Sequence, residues 1–387
     1  MKARLLDHLV CPLDKTPLEC LAWETIERPL STADRGAAAT LGLAPAALER
    51  EIVSGVLVNR ARQIYYPIQG GVPRMLVFST GVAEAFHLQH GERLCQELPG
   101  FAPPREPAQP GEQDVLRTFS NEWTNYEWNE RAYWSQTAAA WFRNMRFALD
   151  LDRQPLRGKL ILEAGIGIGG TADYVARSEG CELVGIDLGY AVDAAQRNFG
   201  ANAFLHLVQA SVFALPFRER TFDFAYSFGV IHHTFSTPTA FASLARMPKL
   251  GGRLYVWVYS FYDEQRHLGR RVLMFMERGL RPIVWRMPEK LQTVAIAPLV
   301  PLYMAYQKMR VWRHGGGSVA YGWREALHAA RDRFTPRYIH RHTDAEVCDW
   351  FHQAGYEHLT CDSGRERPDD VPTHFTSCTG VSGVRVR

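Results

Sequence analysis

The chain has 387 residues, 46% of them hydrophobic, and its 44 basic and 41 acidic residues leave a net charge of only +3. This length can form two domains with cores of their own. The near balance of charge disfavours a nucleic-acid-binding protein that depends on a large basic surface. Seven scattered cysteines favour a reduced, cytoplasmic protein over a disulfide framework. Asp7 and His8 interrupt the first apolar stretch, so we expect no signal peptide.

The first predicted domain covers residues 1–98 and contains two blocks, Leu5 to Asp14 and Tyr66 to Leu76, that resemble the small Trm112-like, zinc-ribbon-type domain. Zinc-binding relatives carry a Cys-x-x-Cys pair at each end, whereas here Cys11 is followed by Asp14 and the second pair is replaced near Asn59 and Arg62. Four nitrogen or sulfur ligands cannot be assembled, so no metal site is predicted. An alanine-rich insertion at about 22–50 is expected to be helical. Two roles stay open for this domain: packing on the rest of the chain, or docking a partner.

A proline-rich stretch follows, with five prolines between residues 99 and 110. It predicts an extended linker over 99–114. The next segment is rich in aromatic residues at helical spacing, which predicts a helix with one face packed on a core. These residues are Phe119, Trp123, Tyr126, Trp128, Tyr133, Trp134, Trp141 and Phe142.

Residues 160–187 read as a buried strand, a glycine turn, a helix and a second strand that ends at Asp187. Such a turn lets the backbone approach a ligand, and a carboxylate at the end of the next strand can accept both ribose hydroxyls. Glycines 165, 167 and 170 also satisfy G-x-G-x-x-G, which leaves an NAD(P)-binding fold open. Glu163, two residues before the turn, favours a cationic ligand over a pyrophosphate.

Four further blocks follow in order: 209–217, 221–227, 228–234 and 250–259. Together with the glycine turn, residues 115–387 resemble the class I S-adenosylmethionine-dependent methyltransferases. The resemblance implies an α/β fold with a Rossmann-like seven-stranded sheet and helices on both faces, besides the small N-terminal α+β domain. Residues 356–361 and 375–386 are expected to form the closing antiparallel strands.

The resemblance also implies a cofactor, S-adenosyl-L-methionine, and residues to bind it. Glu163 and glycines 165, 167 and 169 would hold the methionine part, and Asp187 the ribose. Ser211 stands where the family often has an Asp for the adenine amine, and a hydroxyl can also form a hydrogen bond there. Further candidates for adenine and sulfonium contacts are Leu188, Val212, Phe213, Phe228, Trp123 and Tyr126, although each of these could equally belong to the core.

A helical insertion is predicted at about 263–330. Six arginines and one glutamate lie between residues 266 and 286 on an otherwise apolar stretch, which is typical of a basic amphipathic surface. A lid over a hydrophobic acceptor, peripheral membrane contact through 266–313 and plain interdomain packing all remain open. A transmembrane helix is disfavoured because the uncharged run of 291–307 is short and contains two prolines.

Candidate acceptor residues lie after the fourth strand of the predicted sheet and after the insertion. His232 and His233 are expected at the carboxyl edge of the sheet, where a histidine could act as a base or merely shape the site. His340 and His342 could also act as bases, and Arg337 and Tyr338 could bind the acceptor. Ordinary loop packing is the alternative for all four.

We therefore predict methyl transfer to O, N or C of a small or hydrophobic acceptor, lipid-like compounds and secondary metabolites included. An NAD(P)-dependent oxidoreductase and a non-catalytic, cofactor-binding partner subunit are the alternatives. The sequence does not name the acceptor or the oligomeric state. A cytoplasmic location, with membrane association left open, fits this prediction.

Overall fold

The computed structural model describes residues 1–124, 132–133, 136–261, 268–314, 319–369, 371 and 378–387. The N-terminal part is a four-stranded antiparallel sheet in which the strands follow one another in chain order. Its strands are β1 (Glu19–Glu27), β2 (Arg50–Asn59), β3 (Ile64–Gln69) and β4 (Val72–Pro73). Two helices, α1 (Thr32–Thr40) and α2 (Pro45–Glu49), join β1 to β2, and α3 (Gly81–Gln89) and α4 (Gly91–Glu97) follow β4. The predicted helical insertion at 22–50 is thus helical only from Thr32 onwards, because β1 continues to Glu27.

Hydrogen bonds occupy the place where zinc-binding relatives would carry their cysteine pairs. The amide nitrogen of Asn59 donates to both carboxylate oxygens of Asp14, at 3.2 and 3.0 Å. The Cys11 thiol contacts the Tyr66 hydroxyl at 3.4 Å. Among the described residues, no group of three or more histidine, cysteine or acidic side chains is arranged to hold a metal ion.

The N-terminal domain packs on the rest of the chain through a shared core. Leu5, Leu9 and Met75 lie in one hydrophobic cluster with Leu162 and Val208 of the larger sheet. The guanidinium of Arg74, 7% exposed, binds Asp193 at 2.6 Å and Gln209 at 3.3 Å. This domain therefore braces the edge of the larger sheet.

Residues 99–111 contain no helix, and α5 (Glu112–Thr124) begins inside the predicted linker. A two-stranded hairpin, β5 (Ala132–Tyr133) and β6 (Gln136–Thr137), and α6 (Ala138–Ala148) lead into the larger sheet. Tyr126 and the glycine stretch at 315–318 lie outside the described residues.

The larger sheet has seven strands in the order β12-β13-β11-β10-β7-β8-β9. Six are β7 (Leu160–Ala164), β8 (Glu182–Asp187), β9 (Leu205–Gln209), β10 (Phe222–Phe228), β11 (Pro248–Val258) and β12 (Tyr356–Cys361), and the seventh, β13 (Thr379–Arg385), runs antiparallel to β11 and β12. Helices α7 (Gly170–Glu179), α8 (Ala191–Phe199) and α9 (Thr237–Ala245) connect the parallel strands. Central strands β7 and β8 are buried along almost their whole length, as apolar strands of parallel sheets are. The predicted α/β fold is confirmed, including the two closing strands.

The insertion is helical, as predicted. It consists of α10 (Leu268–Val284), α11 (Glu289–Ile296), α12 (Val300–His314) and α13 (Trp323–Phe334), and α14 (Asp344–Gln353) follows it. Val284, Ile296, Ala330 and Phe334 form a small core of its own. None of the described helices is both long and apolar enough to cross a bilayer.

Candidate functional site

The glycine turn lies at the carboxyl end of β7, beside β10, where the direction of strand order changes. Gly165, Gly167 and Gly169 have φ values of 87°, 54° and 87°, which a residue with a Cβ rarely adopts. A Cβ on Gly165 would also lie 2.1 Å from the Val230 side chain. Gly170, in contrast, is the first residue of α7. The tight turn therefore uses glycines 165, 167 and 169, and the literal dinucleotide spacing that ends at Gly170 does not describe it.

Asp187 ends β8 and holds the glycine turn in place. Its two carboxylate oxygens accept the backbone N–H groups of Gly167 at 2.9 Å and of Gly189 at 2.8 Å. Burial raises the pKa of this carboxyl above its ordinary value, and the two N–H groups oppose that shift. Each oxygen accepts one hydrogen bond here and has a second lone pair, which suits a pair of ribose hydroxyls.

Glu163 lies on β7 beneath the turn and is 4% exposed. It accepts a hydrogen bond from the Tyr226 hydroxyl at 2.7 Å. Burial raises its pKa to about 8, against the effect of Tyr226 and helped by the nearby Asp187. A nearby cation would stabilise the ionised form of such a buried carboxyl group and thereby lower its pKa.

Ser211 follows β9 and meets a residue that sequence reasoning missed. Its hydroxyl donates to a carboxylate oxygen of Glu112, the first residue of α5, and also accepts the N–H of Phe213 at 3.1 Å. Glu112 is 6% exposed, and burial raises its pKa. A carboxylate therefore does stand at this position, supplied by a residue 99 positions earlier in the chain.

The other cofactor candidates divide into two groups. Leu188, Val212 and Phe213 are half-buried and lie at the ends of β8 and β9, beside Asp187 and Ser211. The Phe228 ring instead stacks on Trp257, with ring centroids 4.7 Å apart, and lies edge-on to Trp141. Phe228 therefore packs among aromatic side chains, and only its backbone lies at the carboxyl edge.

Helix α5 lies over the turn. The Trp123 indole is 3.8 Å from where a Cβ of Gly167 would be, and the Ser120 hydroxyl accepts the N–H of Tyr190 at 2.9 Å. Trp123 also packs with Ile168 and Ala194. Of the two aromatic candidates in this segment, the structure thus brings Trp123 to the glycine turn, whereas Tyr126 lies outside the described residues.

His232 and His233 are buried in a short 3-10 turn after β10. Burial lowers the pKa of both rings, most strongly for His232, where nearby histidines and Arg341 add to the effect. The His233 Nδ1 is 3.0 Å from the carbonyl oxygen of Tyr338. Because a carbonyl only accepts, Nδ1 carries the proton, and Nε2 of the neutral ring has a basic lone pair.

Acidic and aromatic residues surround His233, and sequence reasoning missed them. Its Nε2 is 3.9 Å from a carboxylate oxygen of Asp332 on α13, and the Tyr259 hydroxyl donates to the other oxygen at 2.9 Å. Glu122 of α5 lies 3.5 Å from His328 of α13. Burial, together with Asp332, raises the pKa of Glu122 well above its ordinary value, and burial lowers that of His328 to about 3.

The last four candidates lie in the segment after α13. The His340 Nε2 donates to the Thr234 carbonyl at 3.0 Å, and the His342 Nδ1 is 2.9 Å from the Glu346 carboxylate. Arg337 binds Asp114 at 2.6 Å, and the Tyr338 hydroxyl donates to the Pro110 carbonyl at 3.3 Å. Three of these residues line one cavity: Arg337, His340 and His342. Tyr338 instead anchors the start of α5.

Two protein families match separate parts of this chain. Residues 162–256 match the family model of the methyltransferase domain, and residues 2–71 match that of Trm112p-like proteins. The chain thus contains a methyltransferase domain that follows a Trm112-like domain. This confirms both the family resemblance seen in the motifs and the predicted cofactor, S-adenosylmethionine.

Individual relatives match a shorter stretch. Sterol 24-C-methyltransferase of Saccharomyces cerevisiae is 28% identical over 130 residues, which cover 32% of this chain and 34% of that protein. Phosphoethanolamine N-methyltransferase 1 of Zea mays is 31% identical over 104 residues, 26% of this chain and 21% of that protein. The chain spans about a third or less of the length of these relatives.

Solved structures resemble the fold. One is a complex of the Haloferax volcanii Trm112 methyltransferase activator with a methyltransferase, at 14% identity and a TM-score of 0.36, covering 65% of this chain and 99% of that one. Another is geranyl diphosphate C-methyltransferase of Streptomyces coelicolor, at 12% identity and a TM-score of 0.41, covering 72% and 99%.

Proposed function

We propose that this protein is an S-adenosylmethionine-dependent methyltransferase that acts on a small or lipid-like acceptor. The observation that carries this proposal is the turn of three left-handed glycines, bridged by the Asp187 carboxylate and underlain by the buried Glu163. An acidic group beneath the turn suits an ammonium or sulfonium ligand, which favours the ionised carboxylate, whereas the pyrophosphate of a dinucleotide would disfavour that form.

The residues present fit this cofactor. Asp187 would accept the ribose hydroxyls, Glu163 would bind the amino group, and Glu112, oriented by Ser211, would accept the adenine amine. Trp123 would face the sulfonium from above the turn. When bound, S-adenosylmethionine supplies a methyl group on a positively charged sulfur.

His233 is the residue that we propose as the general base. Its Nε2 lone pair would take the proton from the acceptor, and Asp332 would stabilise the resulting imidazolium. His232 is fully buried and packs against the Tyr259 ring at 4.0 Å, which suits a structural role better. The remaining contribution of the chain is to orient the acceptor for in-line transfer.

A lipid-like acceptor is supported by the insertion and by relatives whose names specify sterol and phosphoethanolamine methyltransferases. Large apolar side chains are exposed on α10 to α12, among them Phe275 at 79%, Val294 at 68% and Trp312 at 82%. Such a surface, interspersed with arginines, suits peripheral contact with a membrane.

We propose that residues 1–98 and 115–387 are two domains joined by the 99–114 linker. The role that we propose for the N-terminal domain is to stabilise the edge of the larger sheet.

Calorimetric titration with S-adenosylmethionine, S-adenosylhomocysteine and NADH tests the proposal. The first two should bind and NADH should not. Asp187→Ala should weaken binding about 100-fold, since two charge-assisted hydrogen bonds contribute about 1.5 kcal/mol each. Asp152→Ala, at an exposed site remote from the turn, is the control. Binding of NADH alone would refute the proposal.

A further inference from the structure

A cavity of about 590 Å³ lies between α10 and the segment that precedes α14. Its walls carry four arginines, two from each side: Arg278 and Arg281 on α10, and Arg337 and Arg341 on the facing segment. His340, His342 and Glu346 complete its polar lining. None of the motifs in the methyltransferase resemblance accounts for this convergence of guanidinium groups.

Three arginines in or behind the cavity wall share one carboxylate, that of Glu277. Glu277 is fully buried and lies 2.8 Å from Arg281, 3.1 Å from Arg341 and 3.6 Å from Arg333. Burial lowers the pKa of Arg281, and Arg341, Arg278 and Arg333 lower it further against the effect of Glu277. Asp332 also acts on Arg333, so three guanidinium groups face two carboxylates, and an excess of positive charge remains behind the cavity wall, which an anion would offset.

Two of the described residues that line the cavity each have a buried nitrogen atom without a hydrogen-bond partner. Arg281 is 8% exposed and His342 is 7% exposed. Among the described residues, neither Nε of Arg281 nor Nε2 of His342 has a hydrogen-bond partner. An unpaired buried polar group typically costs about 1–3 kcal/mol, so a ligand is favoured that accepts from the Nε–H of Arg281 or donates to the lone pair on Nε2 of a neutral His342.

The rest of the wall is apolar. Phe261, Pro282, Trp285 and Ile339 line it, and the Arg337 guanidinium lies 5.0 Å from the centre of the Trp285 ring. The cavity therefore suits a ligand with an anionic end and an apolar body.

Hydrogen bonds connect this cavity to the proposed catalytic turn. His340 lines the cavity, its backbone N–H donates to the His232 carbonyl at 2.9 Å, and its ring donates to the Thr234 carbonyl. A ligand in the cavity would therefore lie next to the turn that carries His233.

We propose that this cavity binds the phosphoryl group of the methyl acceptor, so that the acceptor is an organic phosphate or diphosphate with an apolar body. Guanidinium groups on two opposite sides suit a tetrahedral phosphoryl group, which presents three oxygens and carries about two negative charges. A carboxylate is planar and carries only one negative charge, so it matches this arrangement less well. This inference rests on the proposed function, which makes the cavity the acceptor site.

Calorimetry with inorganic pyrophosphate, on the full chain with S-adenosylhomocysteine present, tests the inference. Arg278→Gln alters an exposed side chain of the cavity wall, and Arg337→Gln alters a half-buried one. Arg286→Gln is the matched control, because Arg286 lies over the same Trp285 ring at 4.6 Å without lining the cavity. Each cavity variant should weaken pyrophosphate binding about tenfold, and the control should change it less than twofold.

Three results would overturn the inference: no saturable pyrophosphate binding, equal weakening by Arg286→Gln, or binding of malonate as tight as that of pyrophosphate. Thermal unfolding of each variant shows whether it is folded. S-adenosylhomocysteine binding in the same samples judges the proposed function separately. If S-adenosylhomocysteine does not bind but pyrophosphate does, the methyltransferase proposal is refuted. If S-adenosylhomocysteine binds but pyrophosphate does not, only the phosphoryl site is refuted.

Discussion

The proposed cofactor half and acceptor half of the site are built in different ways. The cofactor half consists mainly of strand ends and their loops within one stretch of the chain, 163–211, and much of its binding surface is backbone. The acceptor half joins side chains from α5, the turn after β10, α10 and α13. A site built from backbone leaves a spacing pattern in the sequence, whereas a site assembled from distant side chains does not.

His233→Gln tests the acceptor half with the largest expected effect. Removal of a general base should lower transfer of labelled methyl groups into a cell extract by about 10²- to 10⁴-fold. S-adenosylhomocysteine affinity should not change, because the residue belongs to the other half. His352→Gln, at an exposed site on α14, is the control. Unchanged transfer by the His233 variant would remove this histidine from the mechanism.

Glu163 tests the cofactor half through its proton. Its pKa of about 8 means that the carboxyl is mostly protonated at pH 7, and a bound cation should lower that pKa. Binding of S-adenosylmethionine at pH 7 should therefore release close to one proton, measured by calorimetry in buffers of different ionisation enthalpy. Affinity should rise with pH from 6 towards 8, by up to about tenfold per pH unit.

Glu163→Gln should abolish that proton release and weaken binding by about 10- to 100-fold, as expected for a lost hydrogen bond to a charged group. The folded-state pKa lies above the unfolded value, so this carboxyl lowers stability as pH rises from about 4.5 to 8. The variant should lose that part of the pH dependence. Equal proton release by both proteins would place the titrating group elsewhere.

Glu112 connects the two halves, because α5 carries it to the cofactor edge. Glu112→Gln should weaken S-adenosylhomocysteine binding about tenfold, since a neutral amide accepts less strongly than a carboxylate. Ser211→Asp alone should also weaken it, by placing two buried carboxylates together. The double variant Glu112→Gln/Ser211→Asp should restore binding. Failure of that rescue, with the protein folded, would argue against a shared adenine position.

Trp123 should give the smallest effect. Trp123→Leu should lower affinity for S-adenosylmethionine about fivefold, in line with a cation–π contribution of about 1 kcal/mol. Affinity for S-adenosylhomocysteine, which lacks the sulfonium charge, should fall less. Trp312→Leu, at an exposed tryptophan on α12, is the control. An equal loss for both ligands would show that Trp123 only packs on the turn.

The sequence alone determined the fold class, the Trm112-like domain and the residues of the glycine turn, because alternating buried strands and helices and glycine spacing are local patterns. It also placed Asp187 at the end of β8. The tertiary structure decided which three glycines adopt left-handed conformations, because that choice depends on where α7 begins and on Val230 across the sheet.

The tertiary structure also brought Glu112 to Ser211, Asp332 to His233, and four arginines around one cavity. The residues that meet in each of these contacts lie far apart in the chain, and no local sequence pattern specifies such pairs. Burial in the tertiary structure also shifts the pKa values of the site residues: it raises those of Glu163 and Glu122 and lowers that of His233. These shifts cannot be read from the positions of the residues in the sequence.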